Sequence, residues 1–252
     1  IKYFDVLIHT AALAHNDDNN PDYLALVNKV NVDATMVLVQ LAEKSKIRRF
    51  IFLSSIGVNG NVSIVPFTEN DEANPHNYYS ECKYKAEQKI LSFVGKIEME
   101  LVIVRLPLVY SHNAPGNFSR LINIIESGLP LPLGGVQNKR SLLALDNLVD
   151  FLVICSDAKR TPLAKNQVFL IADSEDLSTT ELIKKIAFYS NKKTILIPIT
   201  PKIFQVLLKL IGKNHLYSQL FSSLQIDASK ALKLLDWMPK VTISQQLNKT
   251  KM

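Results

Sequence analysis

Arg49-Phe50-Ile51-Phe52-Leu53-Ser54-Ser55-Ile56-Gly57-Val58-Asn59-Gly60 is the stretch that decides the fold. Phe50 to Leu53 are apolar without a break, so neither face of the extended chain is written for water. That is the pattern of an inner strand in a parallel sheet covered on both sides. The run stops at two serines and a glycine-bearing turn. In open α/β sheets ligands lie at the carboxyl ends of the strands, and a serine hydroxyl there can bond a reacting oxygen. Two similar runs flank it: Val6-Leu7-Ile8-His9 ahead of Thr10-Ala11-Ala12, and Glu100-Leu101-Val102-Ile103-Val104 ahead of Arg105-Leu106-Pro107. The small residues at the first of these ends let a ligand approach the backbone closely. Between the runs, residues 22–46 carry Val32, Met36, Val39 and Leu41 at helical recurrence, and 77–94 read as a second helix. This alternation predicts an α/β fold built on a doubly wound parallel sheet.

Past Tyr110 the rhythm changes. Residues 111–135 contain several Gly and Pro, 146–156 read as a helix and 167–171 as a strand. Helical patterns dominate from Ser178 onward, with a short strand expected at 194–197. Ser178 and Glu181 have the spacing of a capping box. The expected division is a sheet domain over 1–110, with 136–172 returning to it, and a smaller, mostly helical lobe over 111–135 and 173–252. The 252 residues are 47% hydrophobic and 21% charged, with 8 Gly and 11 Pro, which excludes disordered and collagen-like classes. Cys82 and Cys155 cannot make a disulfide framework or a Cys-based zinc site, so no metal is expected and a reducing cytoplasm is. The net charge is +6, but basic residues cluster only as pairs such as Arg48-Arg49 and Lys192-Lys193. Such pairs read as a solvated surface, not a nucleic-acid footprint. A mild positive bias also suits an anionic substrate such as a nucleotide diphosphate. No unbroken run of about eighteen apolar residues occurs, so no membrane span is expected.

Tyr79 and Lys83 lie four apart in the second predicted helix and share a face. A phenol ordinarily titrates near 10. An ammonium beside it favours the phenolate and lowers that value, which gives the pair the makings of an acid/base device. The spacing alone is weak, because Tyr189 and Lys193 share it across what reads as a helix end. The three strand ends, each followed by small or special residues, add the context of a binding site.

Several stretches together resemble an extended short-chain dehydrogenase/reductase of the NAD-dependent epimerase/dehydratase family. Residues 5–12 resemble its fourth strand and cofactor-facing loop. Asn31-Val32-Asp33-Ala34-Thr35 resembles an Asn-Val-x-Gly-Thr helix. Ser54 to Gly60 resembles a Ser-Ser-x-x-Val-Tyr-Gly segment with Asn59 in place of Tyr. Tyr79-Ser80-Glu81-Cys82-Lys83 carries Cys82 where the family usually has Ser. Arg105-Leu106-Pro107-Leu108-Val109-Tyr110 is followed by Ser111 in place of Gly. Gly116-Asn117-Phe118, residues 128–134, Asn138-Lys139-Arg140-Ser141-Leu142 and the tail from Asp227 to Pro239 are similar to nucleotide-sugar members, above all 4-epimerases and 4-keto-sugar reductases of bacterial surface polysaccharides.

The resemblance implies a partial Rossmann-type sheet, NAD or NADP as cofactor, and a nucleotide-diphosphate sugar as substrate. It implies Tyr79 as the acid/base, Lys83 lowering its pKa and holding the nicotinamide ribose, and Ser55 on the reacting oxygen. Ala11, Ala12, Asn31, Ser54 and Pro107 would line the cofactor together with Tyr79 and Lys83. Ser55, Asn117 and Arg140 would hold the substrate, Arg140 through paired donors to phosphate. A homodimer through a helix pair beside the site is implied as well. The family's glycine-rich pyrophosphate turn has no counterpart among the eight glycines, the first of which is Gly57. A sequence that starts at Ile1 is therefore expected to lack that turn and to hold a dinucleotide weakly. A steroid- or flavonoid-type reductase and a non-catalytic remnant are the alternatives; the Asn117 and Arg140 stretches speak against the first.

Overall fold

The computed structural model describes residues 4–14, 20–111, 116–210 and 215–249. Four parallel strands, β1 (Val6–His9), β2 (Arg49–Ser55), β3 (Glu100–Leu106) and β6 (Gln167–Leu170), lie in the order β1-β2-β3-β6. Ile51 pairs with Ile8 on one side and Val102 on the other, so β2 is an inner strand, as its unbroken apolar run predicts. A second, two-stranded parallel sheet joins β4 (Leu108–Tyr110) to β5 (Leu142–Ala144); no strand was expected at either place.

Alternation along β2 sorts its side chains to two cores. Phe50 and Phe52 face α2 (Ala34–Lys44) and α3 (Tyr78–Leu91), packing with Val39, Ala42, Ala86 and Ile90. Ile51 and Leu53 face α5 (Leu145–Ser156) and α9 (Ser229–Leu235), packing with Phe151, Phe169, Ala231 and Trp237. A third core joins α4 (Asn117–Glu126), α6 (Thr179–Tyr189), α7 (Pro201–Leu210) and α10 (Ile243–Asn248) through Ile125, Ile183, Ile186, Phe204 and Leu247. The short helix α8 (His215–Phe221) packs Phe221 against Phe204, their tilted rings 4.9 Å apart between centroids.

The helix expected over 22–46 runs from Pro21 to Lys44, with Asn20 capping it through Asp22 and Tyr23. It comprises α1 (Pro21–Asn28), a π-helical turn over Lys29–Asp33, and α2. Its 24 residues are long and apolar enough, by length and composition, to cross a membrane, although the sequence holds no unbroken apolar run. Its Val27, Val32, Val39 and Ala42 are buried against the sheet and α3, while Leu26, Val37 and Leu41 are exposed. Asn77 caps α3 by accepting from Ser80 N at 2.8 Å, and the expected Ser178–Glu181 capping box is formed. The strand expected at 194–197 reduces to an isolated bridge between Leu131 and Leu196.

Arg49 corrects the reading of Arg48-Arg49 as a solvated pair. Its side chain is fully buried at the start of β2, pairs with Glu100, and donates to Thr161 Oγ1 at 2.7 Å and Thr161 O at 2.9 Å. A guanidinium with its donors filled ties β2, β3 and the segment after α5 together.

Candidate active site

The first turns of α3 lie against the carboxyl end of β2, and a glycine permits that approach. A Cβ at Gly57 would sit 2.3 Å from Ser80 Oγ and 3.3 Å from Ser55 Oγ. Ser55 accepts from Gly57 N at 3.1 Å, which fixes its hydroxyl at the strand end. Sequence reasoning passed over His76, whose Cε1 is 3.2 Å from that same virtual Cβ. Burial pushes its pKa down, against an opposing hydrogen bond with the Gly57 backbone.

Lys83 is 2% exposed. Its ammonium donates to Leu53 O at 2.8 Å and sits 4.5 Å from the Phe52 ring centroid. Burial pulls its pKa down to about 8, against the opposing pull of Glu87. Its Nζ is 6.0 Å from the Tyr79 ring centroid. Lys83 was expected to lower the phenol's pKa, but burial pushes Tyr79 up to about 12. The physical reason is that the ammonium is bonded to a backbone carbonyl while the phenol is desolvated. In this state Tyr79 is a protonated acid.

Ser54 and Asn31 also depart from expectation. Ser54 faces away from Ser55, and its hydroxyl is bonded to buried Glu87. Glu87 pairs with Arg105 at 2.7 Å, and Arg105 Nη1 donates to Asn59 Oδ1 at 2.9 Å. Asn59 in turn donates to Thr68 O at 3.1 Å. This network occupies the Ser54 side chain, so its hydroxyl does not point at a ligand. The network was not anticipated; the signal was Glu87 one turn after Lys83 in a helix whose other face is charged and exposed. Asn31 is fully buried in the π turn. Its Oδ1 accepts from Leu13 N at 2.8 Å and its Nδ2 donates to Leu13 O at 2.9 Å. It clamps the loop that carries Ala11 and Ala12 and does not itself line an open face. His9, at the end of β1, bonds Thr35 Oγ1 through Nε2 at 2.9 Å; burial and then the charge of Lys83 lower its pKa.

Pro107 is buried between β3 and β4. Asn117 begins α4, and its side chain lies outside the described residues. Arg140 is partly engaged within the chain. Its Nη1 donates to Ser222 O at 3.1 Å and Ser218 O at 3.5 Å, at the carboxyl end of α8, where a cation meets the negative helix terminus. A cavity of about 440 Å³ opens next to it among Gly134, Gly135, Lys139, Asp176, Ser178 and Glu181; neither Tyr79, Lys83 nor Ser55 lines it. Among the described residues no cluster of His, Cys, Asp and Glu could hold a metal.

The donor set fits one end of a dinucleotide. Tyr79 and Lys83 stand beside the carboxyl end of β2, and Asn31 holds the loop of small residues that follows β1; these groups suit a ribose and nicotinamide. No glycine-rich turn for a pyrophosphate is among the residues of the chain.

A family model described as NAD dependent epimerase/dehydratase matches residues 1–172. The chain is 37% identical over 254 residues to a UDP-glucose 4-epimerase of Vibrio cholerae, covering 99% of this chain and 76% of that protein. It is 27% identical over 261 residues to the N-acetyl-alpha-D-glucosaminyl-diphospho-ditrans,octacis-undecaprenol 4-epimerase of Escherichia coli O157:H7, covering 98% and 76%. Its fold is that of the UDP-glucuronic acid 4-epimerase of Bacillus cereus solved with NAD, with a TM-score of 0.77 at 22% identity, covering 98% of this chain and 73% of that one. The chain therefore belongs to the NAD-dependent epimerase/dehydratase family of nucleotide-sugar enzymes.

Proposed function

We propose that the chain inverts or reduces C4 of a diphosphate-linked sugar, as a 4-epimerase or a 4-keto-sugar reductase serving surface-polysaccharide synthesis. The observation that carries this reading is the placement of Tyr79 and Lys83, one turn apart on α3, against the β2 end that presents Ser55. The 37% identity to a UDP-glucose 4-epimerase supports it. A nicotinamide cofactor, when bound, supplies the acceptor and donor of hydride. Tyr79 and Lys83 would hold its ribose, and the loop of Ala11 and Ala12, kept in place by Asn31, would flank it.

Tyr79 exchanges the proton of the sugar C4 hydroxyl. It donates that proton when a C4 ketone becomes an alcohol and accepts it in the reverse direction. A phenol held near 12 carries the proton it would donate. To accept, it needs more of the Lys83 ammonium's charge than reaches the phenol while that ammonium is bonded to Leu53 O. Ser55 hydrogen-bonds the same oxygen and steadies the charge that develops on it. Asn117 and Arg140 are assigned to the substrate diphosphate, Arg140 through the guanidinium nitrogens not bonded to α8. Buried Cys82 and Cys155 suit a reducing cytoplasm. Leu26, Val37 and Leu41, exposed on α1 and α2, suit a homodimer contact.

The test is turnover of UDP-glucose, or of its N-acetylated and lipid-diphosphate counterparts, with the nicotinamide cofactor present. A 4-epimerase interconverts the two C4 epimers with no net use of cofactor. A reductase consumes reduced cofactor in step with a 4-keto sugar. Absence of both conversions across these substrates, in protein shown to bind cofactor, contradicts the proposal.

A further inference from the structure

Between Glu181 and Asp227 the chain carries no carboxylate side chain, the longest such interval in its sequence, and it is rich in lysine. Helix α7 lies in the middle of this interval. Phe204 and Leu208 anchor it in the core. On another face Ile203, Val206 and Leu210 are 55%, 58% and 78% exposed. Their spacing of three and four residues lines them up as one stripe. Helical geometry places Lys202 and Lys209 along one border of that stripe. The ribbon leading into α7 repeats the pattern, with Ile195 and Ile197 exposed after Lys192 and Lys193. None of these four lysines has an ion-pair partner among the described residues.

An apolar stripe bordered by lysines, with no carboxylate near it in the chain, is the composition of a helix that lies in a lipid interface. Lysine stems reach along the apolar boundary while their ammonium groups meet anionic head groups. A protein partner's interface core is instead depleted in lysine. We propose that the outer face of α7, with the Lys192-to-Ile197 ribbon, docks the enzyme on an anionic bilayer surface. This goes beyond the sugar chemistry and is measured without turnover.

The experiment is co-sedimentation of the full chain with vesicles of phosphatidylcholine containing about one-third phosphatidylglycerol, and with vesicles of phosphatidylcholine alone. Wild type sediments with the anionic vesicles, and binding falls as salt rises. Lys202→Gln with Lys209→Gln weakens binding by on the order of fivefold for each lysine removed. Val206→Glu with Leu210→Glu abolishes it. These side chains are exposed, so melting temperatures stay at the wild-type value, which separates lost docking from lost folding. Wild type that stays in the supernatant, equal binding to both vesicle types, or unchanged binding by the folded variants overturns the proposal. Concentration-dependent self-association that Val206→Glu with Leu210→Glu breaks, without lipid binding, also overturns it and makes the stripe a contact between copies.

Discussion

Lys83 carries a positive charge in a place that resists charge. Its desolvation costs stability, and the Leu53 carbonyl and the Phe52 ring offset only part of that cost. Its folded pKa of about 8 lies below the free value of 10.5. Between those values the unfolded chain therefore binds more protons than the folded one, and stability rises with pH. Below about 8 the penalty is fully present, on the order of 3 kcal/mol from the shift alone. The expected outcome is that Lys83→Met melts no lower than wild type at pH 7 yet loses turnover. Its stability relative to wild type should then fall as pH rises past about 8. Thermal melts from pH 6 to about 10 read this directly, and a variant melting far below wild type at pH 7 contradicts it. The pair Tyr79/Lys83 was legible because helix spacing is a sequence property. What each group bonds was not, since the ammonium's partner is a carbonyl thirty residues away. Ser54 and Ser55 show the same limit. They are identical and adjacent, and only the strand's two-residue alternation sends one to Glu87 and the other to the strand end.

At the scale of elements, two devices hold the site's backbone. The π turn over Lys29–Asp33 presents Asn31 to Leu13, and π turns recur at functional positions in helices. Asn31→Ala removes both bonds to Leu13 and leaves its amide and carbonyl unpaired. The expected cost is about 2–4 kcal/mol in chemical denaturation, with the loop of Ala11 and Ala12 exchanging its amide hydrogens faster. Unchanged exchange there contradicts the clamp. The second device is the buried Glu87–Arg105 pair behind β2. Glu87→Gln keeps the shape but leaves the guanidinium without its counter-charge, and is expected to cost about 3–5 kcal/mol; a denaturant midpoint matching wild type would contradict this. The sequence periodicity predicted both long helices and the sheet strands to within a few residues. It missed α4, which lies in a stretch marked by Gly and Pro, and it overread 194–197, where only one bridge forms. Short strands such as β4 and β5 exist through their pairing with each other, which no local pattern encodes.

For the described residues as a whole, three larger cores form, and alternation along β2 assigns its side chains to two of them. The wholly apolar character of Phe50 to Leu53 is why the parallel sheet was readable. The buried Arg49 could not be read, because its partners Glu100 and Thr161 come from distant segments. Exposed Leu26, Val37 and Leu41 lie on the outer side of the long first helix. If that face pairs two copies, wild type sediments as a dimer and Val37→Glu with Leu41→Glu as a folded monomer. A monomeric wild type contradicts the homodimer. The central claim is that Tyr79 handles the proton of the sugar's C4 oxygen. Its most direct measurement is turnover by Tyr79→Phe beside wild type, with melting temperature and cofactor binding recorded on the same samples. The account predicts a loss of about 10²–10⁴-fold in kcat with folding and cofactor affinity kept; undiminished turnover in that variant contradicts it.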